Sequence, residues 1–293
     1  MSVDRQDAFA RYHPAVNLLY FVLVLVYAMC LMHPVCLGVS LLCAVWYSTV
    51  LRGRRAVRFN VLYMLPLLVL AAIINPAFNH AGLTVLRLLP NGNPLTLESI
   101  VYGAAAAVMV VSLVIWFTCV HVIMTSDKLV YLFGRLIPAL SLVLAMTLRF
   151  VPRFMAQARR ISAAQRCMGH RRGLRTGIRV FSILVTWSLE NAVETAASMK
   201  SRGYGLPGRS AFSLYRFRRH DRWALVWLII WGGYVLAGWI AGGLHWQYYP
   251  SLELGVPGPY GVSLFCAQLL LCLTPVLLDL RERLVWRRRE GLA

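Results

Sequence analysis

The sequence predicts an all-α polytopic integral membrane protein, with about six transmembrane helices and two further long helices on the cytoplasmic side. Three observations carry this. Of 293 residues, 59% are hydrophobic and only 14% charged, too apolar and too aromatic for an ordinary soluble domain. The apolar residues gather into runs long enough to cross a hydrocarbon core of about 30 Å, which takes about twenty helical residues. The basic residues gather between those runs: 30 Lys and Arg stand against 11 Asp and Glu, a formal charge of +19, and such clusters mark the cytoplasmic side before any other partner is invoked.

In chain order the expected spans are Ala15 to Met32, Val35 to Leu51, Val61 to Phe78, Ile100 to Met124, Trp223 to Ala241 and Tyr260 to Leu280. The first run lacks a small-x-small cleavage site, so it is expected to stay as a helix. His33-Pro34 leaves only a tight turn to the second run, so the two are expected to form a hairpin. R-G-R-R-A-V-R (Arg52 to Arg58) and R-E-R-L-V-W-R-R-R (Arg281 to Arg289) are expected in the cytoplasm. Asn79 to Glu98, with one Arg and the turn N-G-N-P, and Gly242 to Pro259, with no Lys or Arg, are expected outside. Six spans satisfy these assignments together and place both termini in the cytoplasm of a cell membrane, as in a prokaryotic multi-pass protein.

Thr125 to Arg222 carries more than half of the 30 Lys and Arg residues. The expected organisation is therefore an N-terminal transmembrane region 1–124, a cytoplasmic helical module 125–222, and C-terminal spans with a basic tail 223–293. Within the module, one helical pattern runs from Pro138 to about Met168, where Pro152 is expected to bend it. A second runs from Leu174 to about Ser201. They are separated by G-H-R-R-G (Gly169 to Gly173), and the second is stopped by Gly203, Gly205, Pro207 and Gly208. Each has an apolar half, Leu140 to Leu148 and Val180 to Trp187, followed by a polar, Ala-rich half in which Ala192, Ala196 and Ala197 admit a close helix crossing. The apolar halves need a cover of protein or lipid.

Chemistry-bearing residues are sparse. An ionisable group at membrane depth is costly and marks function, but His121 and Asp279 lie at span ends, where side chains reach interfacial water. His13, His33, His80, His170, His220 and His245 are scattered over loops on both sides, which suits satisfied or solvated histidines and leaves no metal site. The seven cysteines form no C-x-x-C pair and sit mostly in apolar runs, as small buried hydrophobes. H-E-x-x-H, G-x-S-x-G and the Walker lysine motif are missing, so the chain is expected to be neither an enzyme nor itself an ATPase, and to carry no cofactor. Nucleic acid is excluded as a partner because no recognition motif accompanies the basic charge. Glu190 and Glu194 share a helix face with Ser198 and Arg202. With arginines available from the neighbouring helix, structural ion pairing is expected of them rather than acid–base work.

The run S-D-K-L-V-Y-L-F-G-R-L-I-P-A-L-S-L-V-L-A-M-T-L-R-F-V-P-R, continuing to A-Q-R-C-M-G and W-S-L-E-N-A-V-E-T-A-A-S-M-K-S-R-G-Y-G, resembles the transmembrane T component of energy-coupling factor (ECF) transporters, to which the cobalt-permease CbiQ-like proteins also belong. The resemblance is sharpest over Ser126 to Tyr215 and extends loosely to the whole chain through its hydrophobic layout and the early Y-H-P motif, Tyr12 to Pro14. It implies that the two long helices are coupling helices. Each would end in an Ala-Arg-Gly-type motif whose Arg contacts acidic grooves of two ABC ATPase subunits. Ser201-Arg202-Gly203 matches the second motif. The first falls at Cys167-Met168-Gly169, where Met168 stands in place of the expected Arg and Arg166, two residues earlier, is the nearest candidate to supply the charge. The resemblance further implies a separate small membrane S component that captures a vitamin or transition-metal ion, with the apolar halves of the coupling helices as its platform. Membrane lipid is the remaining partner.

Two alternatives remain from the residues alone. A conventional ABC permease with its own path is suggested by E-T-A-A and a following glycine, which faintly resemble the cytoplasmic loop of such proteins, but two long helices and apolar spans oppose it. An integral lipid-modifying enzyme would use the basic segment for anionic headgroups.

Overall fold

The computed structural model describes residues 8–79, 82–88, 94–136, 138–169, 173–206, 215–244, 246–249 and 258–290. His80, His170, His245, most of the N-G-N-P turn, Pro207 and Gly208 lie outside them.

The described residues form ten α-helices: α1 (Pro14–Cys30), α2 (Pro34–Arg52), α3 (Arg54–Phe59), α4 (Leu65–Phe78), α5 (Leu97–Ile123), α6 (Ser126–Leu136), α7 (Pro138–Cys167), α8 (Leu174–Ser201), α9 (Arg219–Ile240) and α10 (Pro259–Glu290). Two compact units result, one made of the chain up to Thr125 together with Arg216 onward, the other of Ser126–Tyr215.

In the first unit, five helical stretches are long and apolar enough to cross a membrane: α2, Arg54–Phe78, α5, α9 and Pro259–Glu282 of α10. The chain is a polytopic all-α membrane protein. The sixth apolar helix, α1, has 17 residues, close to the expected span Ala15 to Met32, and is largely enclosed by its own chain: Val16, Tyr20, Phe21, Val24, Tyr27 and Ala28 are all buried. Its two tyrosines knit it to its neighbours, the Tyr27 hydroxyl donating to the Gly232 carbonyl at 2.7 Å and that of Tyr20 to the Cys272 carbonyl at 3.0 Å. Across apolar packing such bonds fix helix register. Gly238 of α9 lies so close to Leu264 of α10 that a Cβ there would collide with it.

Two details depart from the expected layout. Arg54–Arg58 is already helical, and a π-helical turn at Asn60–Met64 joins α3 to α4, so the third span begins inside the basic cluster. The connection between α4 and α5 forms a small antiparallel hairpin, Val85–Leu88 with Pro94–Thr96. It is tied down by Glu98, which accepts from the Thr84 hydroxyl at 2.6 Å and from the Thr84 amide at 3.2 Å.

The helix starts are where most of the unit's polar chemistry is spent. His13 and His33 each precede a proline that opens a helix. Each accepts, through Nδ1, the amide two residues on, from Ala15 at 3.3 Å and Val35 at 3.2 Å. These histidines are N-caps, which satisfy amides that the first helical turn leaves free.

Asp221, only 2% exposed, does this for two segments at once. Its Oδ2 accepts from the Arg218 amide at 2.8 Å, closing the start of α9, and its Oδ1 accepts from the His13 amide at 3.0 Å, fastening the start of α1. The His13 ring packs edge-on against Phe217 and Tyr12 against His220, while Arg11 pairs with Glu282 at 3.3 Å. Asp221→Ala strands two amides in a buried site, each costing about 1–3 kcal/mol. Thermal unfolding of the purified chain in detergent should show a clear loss of Tm, with Asp221→Asn in between; an unchanged Tm would show that the clamp is dispensable.

Candidate functional site

The second unit consists of α6, α7 and α8. Its inner contacts are few and largely aromatic: Phe154 of α7 meets Trp187 of α8 edge-on at 5.7 Å and stacks with Phe150 at 6.0 Å, and Tyr131 of α6 lies 5.0 Å from Tyr215. Burial raises the Tyr215 hydroxyl above its ordinary value, and Asp127 adds to the rise. Pro152 sits inside α7 without ending it.

No residue of α8 is buried. Val143, Leu148, Val151 and Met155 of α7, and Ile178, Phe181, Leu189 and Val193 of α8, are 39–71% exposed. Contiguous apolar surface of this kind marks an interaction site or a lipid-facing surface.

The two helices end in the same way. In α8 the Gly203 amide donates to the Lys200 carbonyl at 3.1 Å and the Tyr204 amide to the Met199 carbonyl at 3.0 Å, the paired bonds of a Schellman stop. The motif needs a residue in the left-handed region, and Gly203 supplies it with φ of 80°. In α7 the Gly169 amide donates to the Arg166 carbonyl at 3.0 Å, and Gly169 has φ of 79°. Glycine takes this conformation at no steric cost.

Cys167-Met168-Gly169 and Ser201-Arg202-Gly203 are therefore equivalent helix ends, each presenting its middle residue just before the stop. Met168 is 60% exposed, and Arg202 is exposed as well. Arg166 is not an equivalent of Arg202: its Nε donates back to the Ser162 carbonyl of its own helix at 3.3 Å. Ser201 likewise turns inward, its hydroxyl donating to the Ser198 carbonyl at 2.9 Å.

A cavity of about 490 Å³ opens between α7 and α8, and the face predicted from the i, i+4 spacing supplies much of its wall: Glu194, Ser198 and Arg202 line it from α8, and Arg149 and Arg153 from α7. Glu190 does not line it. Both Glu190 and Glu194 are exposed, and neither forms an ion pair among the described residues. The arginines expected from the neighbouring helix are thus present beside Glu194. Arg149 and Arg153 were not singled out in the sequence, although they stand four apart on one face of α7. No group of three His, Cys, Asp or Glu side chains suited to a metal ion occurs among the described residues.

A family model described as CbiQ, cobalt transport protein, matches residues 9–213, which takes in α1 to α8. No curated protein gives a match.

The helix stop can be tested directly. Gly203→Ala forces a Cβ into the left-handed region, 3.1 Å from Leu206 Cδ1, at a cost of about 1–2 kcal/mol. Hydrogen exchange should then quicken at the last turn of α8 and leave α9 unaffected; unchanged protection at Met199 to Tyr204 would show that the stop does not depend on glycine.

Proposed function

The match spans 205 of 293 residues (213 − 9 + 1), so the chain belongs to the CbiQ cobalt transport protein family, and from that membership we propose that it is the coupling subunit of an ECF-type ABC importer. In this role it transmits motion from two ABC ATPase subunits to a separate small membrane S component that captures a vitamin or transition-metal ion. The chain is a transporter component. It contributes no catalysis of its own; the ATPases hydrolyse ATP.

One observation carries the proposal: an exposed Arg202 held at the tip of a long helix none of whose residues is fully buried. Such a helix is built to meet another molecule. A guanidinium on a rigid stop suits an acidic groove, because its planar fork holds carboxylates in pairs and stays charged. Ser201 and Gly203 form the frame that aims it. At the other tip Cys167, Met168 and Gly169 end in the same left-handed glycine stop with an apolar contact in place of the charge, and Arg166, two residues before Met168, adds long-range attraction only.

Glu194 braces the helix pair by attraction across the cavity to Arg149 and Arg153, while Glu190, one turn back on the same stripe, lies outside that cavity. Exposed pairs of this kind contribute at most about 1 kcal/mol, enough to bias an angle between helices but not to hold a fold. Closure of the ATPase dimer on ATP would move the two tips relative to one another, and the exposed apolar residues of α7 and α8 would carry that motion to the S component. The basic Arg52–Arg58 cluster and the Arg281–Arg289 tail face the cytoplasm with both chain termini.

Arg202→Glu replaces a charge-assisted contact of about 1.5–3 kcal/mol with repulsion. Co-purification of the ATPases should fall at least tenfold while the chain still inserts into the membrane. Survival of both the complex and its coupled ATP hydrolysis would remove Arg202 from the coupling site. Met168→Arg should retain the ATPases at least as well as the parent; a clear loss would show that the partner surface is built around methionine.

A further inference from the structure

The cavity between α7 and α8 holds more positive charge than its own walls neutralise. Arg149, Arg153 and Arg202 stand against one carboxylate, Glu194, and none of the three guanidinium groups forms an ion pair among the described residues. Pairing Glu194 with any one of them leaves two in excess. Like charges gathered around one hollow repel, and an anion seated there relieves the repulsion while gaining charge-assisted hydrogen bonds.

The chemistry of the lining narrows the anion. Two planar guanidinium forks from consecutive turns of α7 match the oxygens of a phosphate ester, which Arg binds in preference to a bare point charge. The Ser198 hydroxyl lies in the same wall. Thr195 also lines the cavity, but its hydroxyl is already directed to Asn191 Oδ1 at 3.2 Å. A volume of about 490 Å³ exceeds a free phosphate many times over, given that one water occupies about 30 Å³.

The remainder of the lining is apolar, from Met146, Phe150 and Met199. On α7 the exposed Val143, one turn before Met146, borders it. A ligand that fits both parts has an anionic phosphate head and a hydrocarbon extension.

We propose that this cavity binds the headgroup of an anionic phospholipid, with Arg149 and Arg153 on the phosphate and the start of an acyl chain against Met146, Phe150 and Met199. The site does not depend on the ATPase coupling role, since Arg202 only completes a rim that the two α7 arginines already define. Glu194 then acts as a competitor for the arginines, keeping binding reversible.

The test uses the full chain purified in neutral detergent, without ATPases, by native mass spectrometry and thermal unfolding with added phosphatidylglycerol, phosphatidylcholine or soluble glycerol 1-phosphate. Phosphatidylglycerol alone should remain bound and raise Tm. The double variant Arg149→Gln/Arg153→Gln should weaken its binding about tenfold or more while keeping the parent Tm in lipid-free detergent, and Glu194→Gln should strengthen it. If the double variant does not fold, Arg149→Gln alone and Glu194→Gln must shift binding in opposite directions.

An equal response to phosphatidylcholine, full binding by the double variant, or glycerol 1-phosphate binding as well as the lipid overturns the proposal. So does a double variant that binds lipid normally but loses the ATPases, which would assign the cavity to an acidic side chain of the partner.

Discussion

A backbone amide or carbonyl that leaves a helix in an apolar setting has no water to turn to, and its loss costs several kcal/mol. Most of the first unit is arranged around that constraint. Between helix ends the backbone satisfies itself, and packing with a few side-chain bonds such as those of Tyr20 and Tyr27 joins the helices. At the ends it needs acceptors and donors, and at four helix starts a specific side chain supplies them. His13 and His33 serve α1 and α2, and Thr96 serves α5. Asp221 serves α9 and the segment before α1 together. Removing a methyl group from the interior of a span weakens packing locally, whereas removing Asp221 takes the backbone acceptors from two segments at once.

The second unit answers the same constraint differently. Its helices end in glycines that fold the chain back on its own carbonyls, so the tips need no partner for their backbone. That leaves the side chains of the tips and of the helix faces uncommitted. Exposed apolar residues along α7 and α8 and unpaired arginines in the cavity between them are costly for a chain in isolation and useful for one that works between other molecules. The asymmetry between Met168 and Arg202 sits on two nearly identical backbone frames, so it is a difference of chemistry at matched positions.

Local signals made much of this legible. The bounds of α8, Leu174 and Ser201, follow from glycines on either side. The helical period placed Glu194, Ser198 and Arg202 on one face. The first span, expected over Ala15 to Met32, runs from Pro14 to Cys30, its start set by the His13 cap and the proline after it. The start of the third span was hidden because arginine is a good helix former, and a basic cluster gives no sign of where a helix begins. The hairpin before α5 rests on pairing across a turn and on Glu98, neither of which hydropathy reports.

Composition and periodicity by themselves determined that this is a polytopic helical membrane protein, roughly where its helices run, and that glycines follow its two long cytoplasmic helices. These depend on interactions between residues within a few turns of one another. Only the tertiary structure decided what the isolated charges do. Asp221 reaches the His13 amide across 208 residues, and Arg149 and Arg153 acquire a shared cavity with Arg202 only when α7 lies against α8. Spacing along a chain fixes which side chains share a face; which faces meet is set by packing, and charge acquires its role there.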